Sequence, residues 1–72
     1  MTPAELGKIV RETRRAAGIR QEQLAGASGV GVRFLIELEA GKPTVQLGKA
    51  LAVLETLGGR VTVAMPPSAK FR

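Results

Sequence analysis

The residues with the most specific chemistry lie on either side of Ser28-Gly29-Val30. Downstream, Val32, Arg33, Ile36 and Glu37 recur at the offsets that place side chains on one face of a helix. A guanidinium on such a face presents a rigid fork of donors that fits guanine O6 and N7. The same arginine in a less specific role is a phosphate contact or a solvated charge. Glu37 can accept from a cytosine amino group, or serve at the surface or between helices, since phosphates repel a carboxylate. Val32 and Ile36 offer apolar contact to thymine methyls, or alternatively to another protein. These four are the candidate base-reading residues, and Arg20, Gln21, Gln23, Gly31 and Lys42 are the candidate phosphate contacts.

No catalytic constellation accompanies them. The chain has no His, Cys or Asp, so disulfides and the usual zinc sets are excluded. Ser28 has neither an adjacent base nor a nucleophile elbow and reads as a turn residue. No enzyme activity, metal or cofactor is expected.

Four helical segments must position the candidate residues. Thr2 caps the first, about 3–17, with Pro3 at its first position and Glu5 completing a capping box. Leu6, Ile9, Val10, Thr13, Ala16 and Ala17 form its inward face, Arg14 and Arg15 extend a basic outer face, and Gly18 stops it. The second, about 21–27, turns Leu24 and Ala25 inward, small enough at Ala25 for a close helix crossing. Gly29 supplies a positive φ in the turn. The third, about 31–40, buries Phe34, Leu35 and Leu38. It ends at Gly41, before Lys42-Pro43. Glu39 is expected to pair with a nearby arginine or to cap donors around Gly41. Thr44 is the expected cap of the fourth, about 45–57, whose inward set is Leu47, Ala50, Leu51, Leu54 and Leu57.

After Gly58-Gly59 the period changes to two. Val61, Val63 and Met65 alternate with Arg60, Thr62 and Ala64, the signature of a short strand over 60–65. With no second strand visible in the chain, its natural partner is the same strand of another subunit, covered by the fourth helices; the alternative is a disordered extension that happens to alternate. Leu54, Leu57, Val61, Val63 and Met65 are therefore the candidate dimer contacts. Pro66-Pro67 ends any ladder, and residues 66–72 read as a mobile basic tail.

Size and charge fit this reading. A chain of 72 residues makes one domain, here a helical unit over 1–59 followed by the strand and tail. Lys and Arg outnumber Asp and Glu by 11 to 6, which favours a polyanionic partner. No apolar run approaches the ~20 residues of a membrane span, and no secretion signal is evident, so a cytoplasmic location without membrane association is expected. Two short helices around a glycine turn, in a basic chain, form the pattern of a helix-turn-helix whose second helix enters the major groove of duplex DNA.

Gln21-Glu-Gln-Leu-Ala25, Gly29-Val30, Phe34-Leu35, Leu38-Glu39, Gly41-Lys42-Pro43-Thr44 and Leu51-x-Val53-Leu54-x-x-Leu57-Gly58 resemble the lambda-repressor-like, Cro/C1-type helix-turn-helix family. Within it the chain most resembles the HipB-type antitoxins that pair with HipA-type kinase toxins, over residues 6 to 65. The resemblance implies a mostly α, compact four-helix domain with a short C-terminal β-strand pairing antiparallel across a homodimer. It implies binding to a palindromic operator in the protein's own promoter, and neutralisation of a HipA-like kinase. It places a phosphate-contacting glutamine at Gln21 and the recognition positions at Gly31, Val32, Arg33, Ile36 and Glu37. The chain departs from the family pattern at Arg20, where a Thr or Ser cap is usual, at Gly31, usually Ser, and in the apolar Val32 and Ile36. The competing expectation is a protein-interaction adaptor, or an antitoxin subunit with weak, non-specific DNA binding.

Overall fold

A computed structural model describes residues 1–67. It contains four α-helices, α1 (Pro3–Ala16), α2 (Gln21–Ser28), α3 (Val32–Glu39) and α4 (Leu47–Thr56). The Thr2 hydroxyl accepts from the Glu5 backbone N–H at 3.1 Å and donates to the Glu5 carboxylate at 3.2 Å. With Pro3 preset at the helical φ, this cap starts the longest helix of the chain.

All four helices end alike. Gly18, Gly29, Gly41 and Gly58 take left-handed backbone angles. In each case the glycine N–H bonds three residues back and the next N–H five residues back, as in Val30 N–H to Ala25 O at 3.0 Å. At Gly29 this cap creates the sharp turn between α2 and α3 that a Cβ would strain.

Val10, Leu24, Ala25, Leu35, Leu38, Ala50 and Val53 form the core, one or two from each helix. Leu6, Ile19, Val30, Phe34, Val45, Leu54 and Leu57 close its rim. No polar or charged residue is fully buried among those described. Phe34 is only half-buried, and the Lys49 ammonium of α4 lies 5.8 Å from its ring centroid.

Several sequence expectations are corrected. The inward line of α1 is Leu6, Gly7, Val10 and Arg14, while Ile9, Thr13, Ala16 and Ala17 are exposed. The cause is Gly7: a Cβ there would collide with the Leu38 carbonyl oxygen and stand 2.8 Å from that of Glu39. The absent side chain lets the two backbones approach, which rolls the helix toward Gly7, whereas apolar periodicity points to Ile9. A second close approach, 2.9 Å from a Cβ at Gly41 to the Ala4 Cα, fixes the other end of the same crossing.

The fourth helix is capped by Gln46 and not Thr44, and begins two residues later than expected. Its buried residues are Ala50 and Val53, with Leu54 and Leu57 half-buried; Leu47 is 70% exposed. At 3.6 residues per turn, Leu47 and Leu51 sit roughly 90–130° off the Ala50/Val53/Leu57 line. Val53, absent from the expected inward set, takes their place.

Residues 60–66 have no regular secondary structure, and Val61, Val63 and Met65 are exposed. The expected strand is thus not formed within the chain, because the described residues supply no strand to pair with it. Residues 68–72, most of the expected basic tail, lie outside the described residues. No helix among those described is long and apolar enough to cross a membrane.

Candidate nucleic-acid interface

Burying Leu35 and Leu38 forces the opposite side of α3 outward. Val32 and Ile36 are 41% and 47% exposed. Arg33 is exposed as well, and neither its side chain nor those two makes a hydrogen bond or ion pair among the described residues. The structure therefore brings Val32, Arg33 and Ile36 together on one convex edge. Gly31 caps the helix with extended backbone and no side-chain bond, so the cap residue offers no side-chain acceptor to the first-turn N–H groups.

Glu37 is placed differently from a free reader of bases. Its carboxylate accepts from the Lys42 ammonium at 3.2 Å, and its carbonyl accepts the Lys42 backbone N–H at 3.1 Å. The Gly41 cap folds the chain back so that Lys42 lies over Glu37. Two residues expected to contact DNA thus also compensate each other in charge.

At the start of α2, Arg20 has no side-chain acceptor and cannot cap as Ser or Thr would. Gln23 substitutes: its Oε1 accepts the Arg20 backbone N–H at 2.8 Å. Arg20 thereby keeps its guanidinium in solvent. Gln21 is half-buried, and its Nε2 donates to Glu39 at 3.1 Å. An amide nitrogen carries two hydrogens, so one remains for an acceptor outside the chain.

Glu39 is the centre of this corner. Arg14 donates to it from Nε at 2.7 Å and from Nη2 at 3.1 Å, and its Nη1 donates to the Ile19 carbonyl at 2.9 Å. The two side chains retain 12% and 4% of their exposure. The hydrogen bond that Arg14 donates to Glu39, together with the charge of that carboxylate, raises the Arg14 pKa above the usual guanidinium value against the opposing effect of burial. Arg14 is therefore an interior strut and not part of the basic outer face. The Glu39 pairing expected from sequence is present, and its arginine partner is one that helical periodicity had turned outward.

The corner opens into a cleft of about 390 Å³ lined by Arg11, Arg14, Arg15, Gln21, Glu39 and Ala40. Arg11 and Arg15 stand one helical turn apart on α1; Arg15 is the half of the expected basic extension that stays on the outer face, while Arg11 was not singled out as a contact from sequence. Their i, i+4 spacing is the signal that marks a shared face. Leu54 and Leu57, candidate dimer contacts, are half-buried against the core of their own chain, whereas Val61, Val63 and Met65 are free.

Comparison with known proteins agrees with this geometry. Residues 10–63 match the helix-turn-helix family model. An uncharacterized HTH-type transcriptional regulator of Sinorhizobium fredii is 52% identical over 65 residues, covering 90% of this chain and 86% of the relative. With the glycine turn, the short crossing helices and the exposed edge of α3 all inside the matched span, the chain belongs to the Cro/C1-type helix-turn-helix family.

Proposed function

We propose that this chain is a sequence-specific, double-stranded DNA-binding transcriptional repressor that acts as a homodimer in the cytoplasm by binding alone, without catalysis. The observation that carries the reading is the free edge of α3, where Val32, Arg33 and Ile36 project from a helix whose other side is locked in the core. In the helix-turn-helix mode this edge enters the major groove while α2 crosses the backbone. Arg33 takes guanine, Val32 and Ile36 meet thymine methyls, and Glu37 lies beside them. Arg20, Gln21, Gln23, Gly31 and Lys42 hold phosphates.

Dimerisation proceeds through Val61, Val63 and Met65 in a strand paired antiparallel between two copies, with Leu54 and Leu57 beneath. Support comes from their alternation and exposure: an apolar strand with unpaired edges is stable only when it is paired. Two copies then present two α3 edges to half-sites about 34–36 Å apart, one turn of B-DNA. The resemblance to HipB-type antitoxins extends the proposal to an autoregulated toxin–antitoxin operon and a HipA-like kinase partner.

The test is fluorescence anisotropy with the duplex upstream of the protein's own gene and a scrambled duplex of equal length. The expected result is selective binding that weakens steeply with salt. Equal, weak binding to both duplexes would leave the α3 edge as a protein contact. Co-purification with the product of an adjacent kinase-like reading frame tests the antitoxin role separately.

A further inference from the structure

We propose that Arg11 and Arg15 form a second phosphate clamp, carried by α1 outside the helix-turn-helix pair, that grips the duplex backbone beside the phosphate held at Gln21. The inference rests on the DNA-binding reading above and extends the footprint to a third helix.

The cleft between the end of α1, the start of α2 and the end of α3 is lined by three arginines and one carboxylate. Arg14 and Glu39 neutralise each other in a bidentate pair. The net positive charge of the cleft therefore belongs to Arg11 and Arg15. Both are exposed, and among the described residues the ion pairs are Arg14 with Glu39 and Lys42 with Glu37, which leaves these two without a carboxylate. Glu39 already accepts two hydrogen bonds from Arg14 and one from Gln21, which takes most of its acceptor capacity, and neither Arg11 nor Arg15 is bonded to it among the described residues.

Position selects the ligand. Gln21 forms part of the same wall, so a phosphate on its free amide hydrogen lies in the cleft that Arg11 and Arg15 border. Eight residues of α2 span about 12 Å, close to the width of the major groove. The start of α2 thus falls at a groove rim when α3 occupies the groove, and the rim is a line of phosphates. Guanidinium forks match phosphate oxygens in bidentate geometry, and one helical turn of spacing lets the two address neighbouring groups.

The experiment measures the salt dependence of binding of the full chain to its own upstream duplex for wild type, Arg11→Gln, Arg15→Gln and Arg60→Gln. The last removes an exposed charge of the C-terminal segment, away from the cleft. Each clamp variant removes one phosphate contact from each subunit of the dimer and is expected to lower the slope of log K against log salt by about 1.8, so that raising salt from about 50 to about 200 mM costs it roughly twelvefold less affinity than wild type. Sequence preference and helical circular dichroism should stay unchanged, and Arg60→Gln should keep the wild-type slope. Selective wild-type binding with unaltered slopes in both clamp variants overturns the clamp and leaves the DNA reading intact. Absence of wild-type binding to any duplex overturns both.

Discussion

Arg14 of α1 and Glu39 of α3, 25 positions apart, meet through two parallel hydrogen bonds of 2.7 and 3.1 Å in a partly buried corner at the base of the cleft. Through Ile19 and Gln21 the same pair also holds the α1–α2 turn and the first residue of α2. The orientation of the helix-turn-helix unit is therefore set partly from outside the unit.

Removing one partner is expected to cost far more than removing both. Glu39→Gln leaves a mostly buried guanidinium without its counter-charge and should lower unfolding free energy by about 3 kcal/mol in urea titrations. Arg14→Met with Glu39→Met should cost much less than the sum of the single losses. Because the Arg14 pKa is raised, its share of this stability is fully present below the ordinary guanidinium value and is lost only as pH climbs through the higher folded value. Alkaline titration into the lysine range should therefore leave the Arg14 contribution intact.

Glycine-to-alanine substitutions should split by sign. Alanine gains roughly 1 kcal/mol over glycine within a helix. At Gly7 the added methyl meets the Leu38 and Glu39 carbonyls, which are backbone and cannot swing aside. Overpacking of that kind costs typically about 1–3 kcal/mol and outweighs the helical gain. Gly7→Ala is expected to lower the melting temperature, while Gly26→Ala and Gly48→Ala, with nothing within 4 Å, should raise it.

Arg33→Ala is expected to weaken binding to the preferred duplex by about 1–3 kcal/mol and to relax preference at one base pair per half-site. Competition titrations with single-base variants of the duplex read both effects. Uniform weakening across all sequences would demote Arg33 to a phosphate contact.

Breaking the solvent-exposed Lys42–Glu37 pair should change stability by less than about 1 kcal/mol. Its effect on DNA should be larger in kind. Glu37→Gln removes a carboxylate near the phosphates and frees Lys42, so affinity for arbitrary duplex is expected to rise several-fold in low salt. A selective drop for the preferred duplex would instead assign Glu37 to a base.

Val63→Asp should abolish self-association, because pairing the segment across two copies would bury a carboxylate with no partner. Sedimentation equilibrium is expected to show the variant as monomer at concentrations where the wild type is dimeric. An unchanged mass would remove the C-terminal segment from the interface.

The helix ends were the most legible part of the chain, since Thr2, Gly18, Gly29, Gly41 and Gly58 act locally through one cap or one turn. Inward faces were legible where bulk decides, as at Leu24, Leu35 and Leu38. They failed where absence of bulk decides: Gly7 buries because it has nothing to bury, and it carries Arg14 inside while leaving Ile9 in solvent. At the interface, Arg33, Val32 and Ile36 follow directly from the burial of their opposite neighbours. The Glu37–Lys42 pairing does not, because it depends on how the chain folds back after Gly41.

One end of α3 is anchored and the other is not. Among the described residues, every side-chain hydrogen bond and ion pair of this helix to another part of the chain is made at Glu37 or Glu39, whereas Val32, Arg33 and Ile36 carry none. New residues can therefore be grafted onto the leading turns without disturbing the rivet at the trailing end. A single scaffold of this kind can diverge into many address readers, each retuned at three positions while the frame that aims them stays untouched.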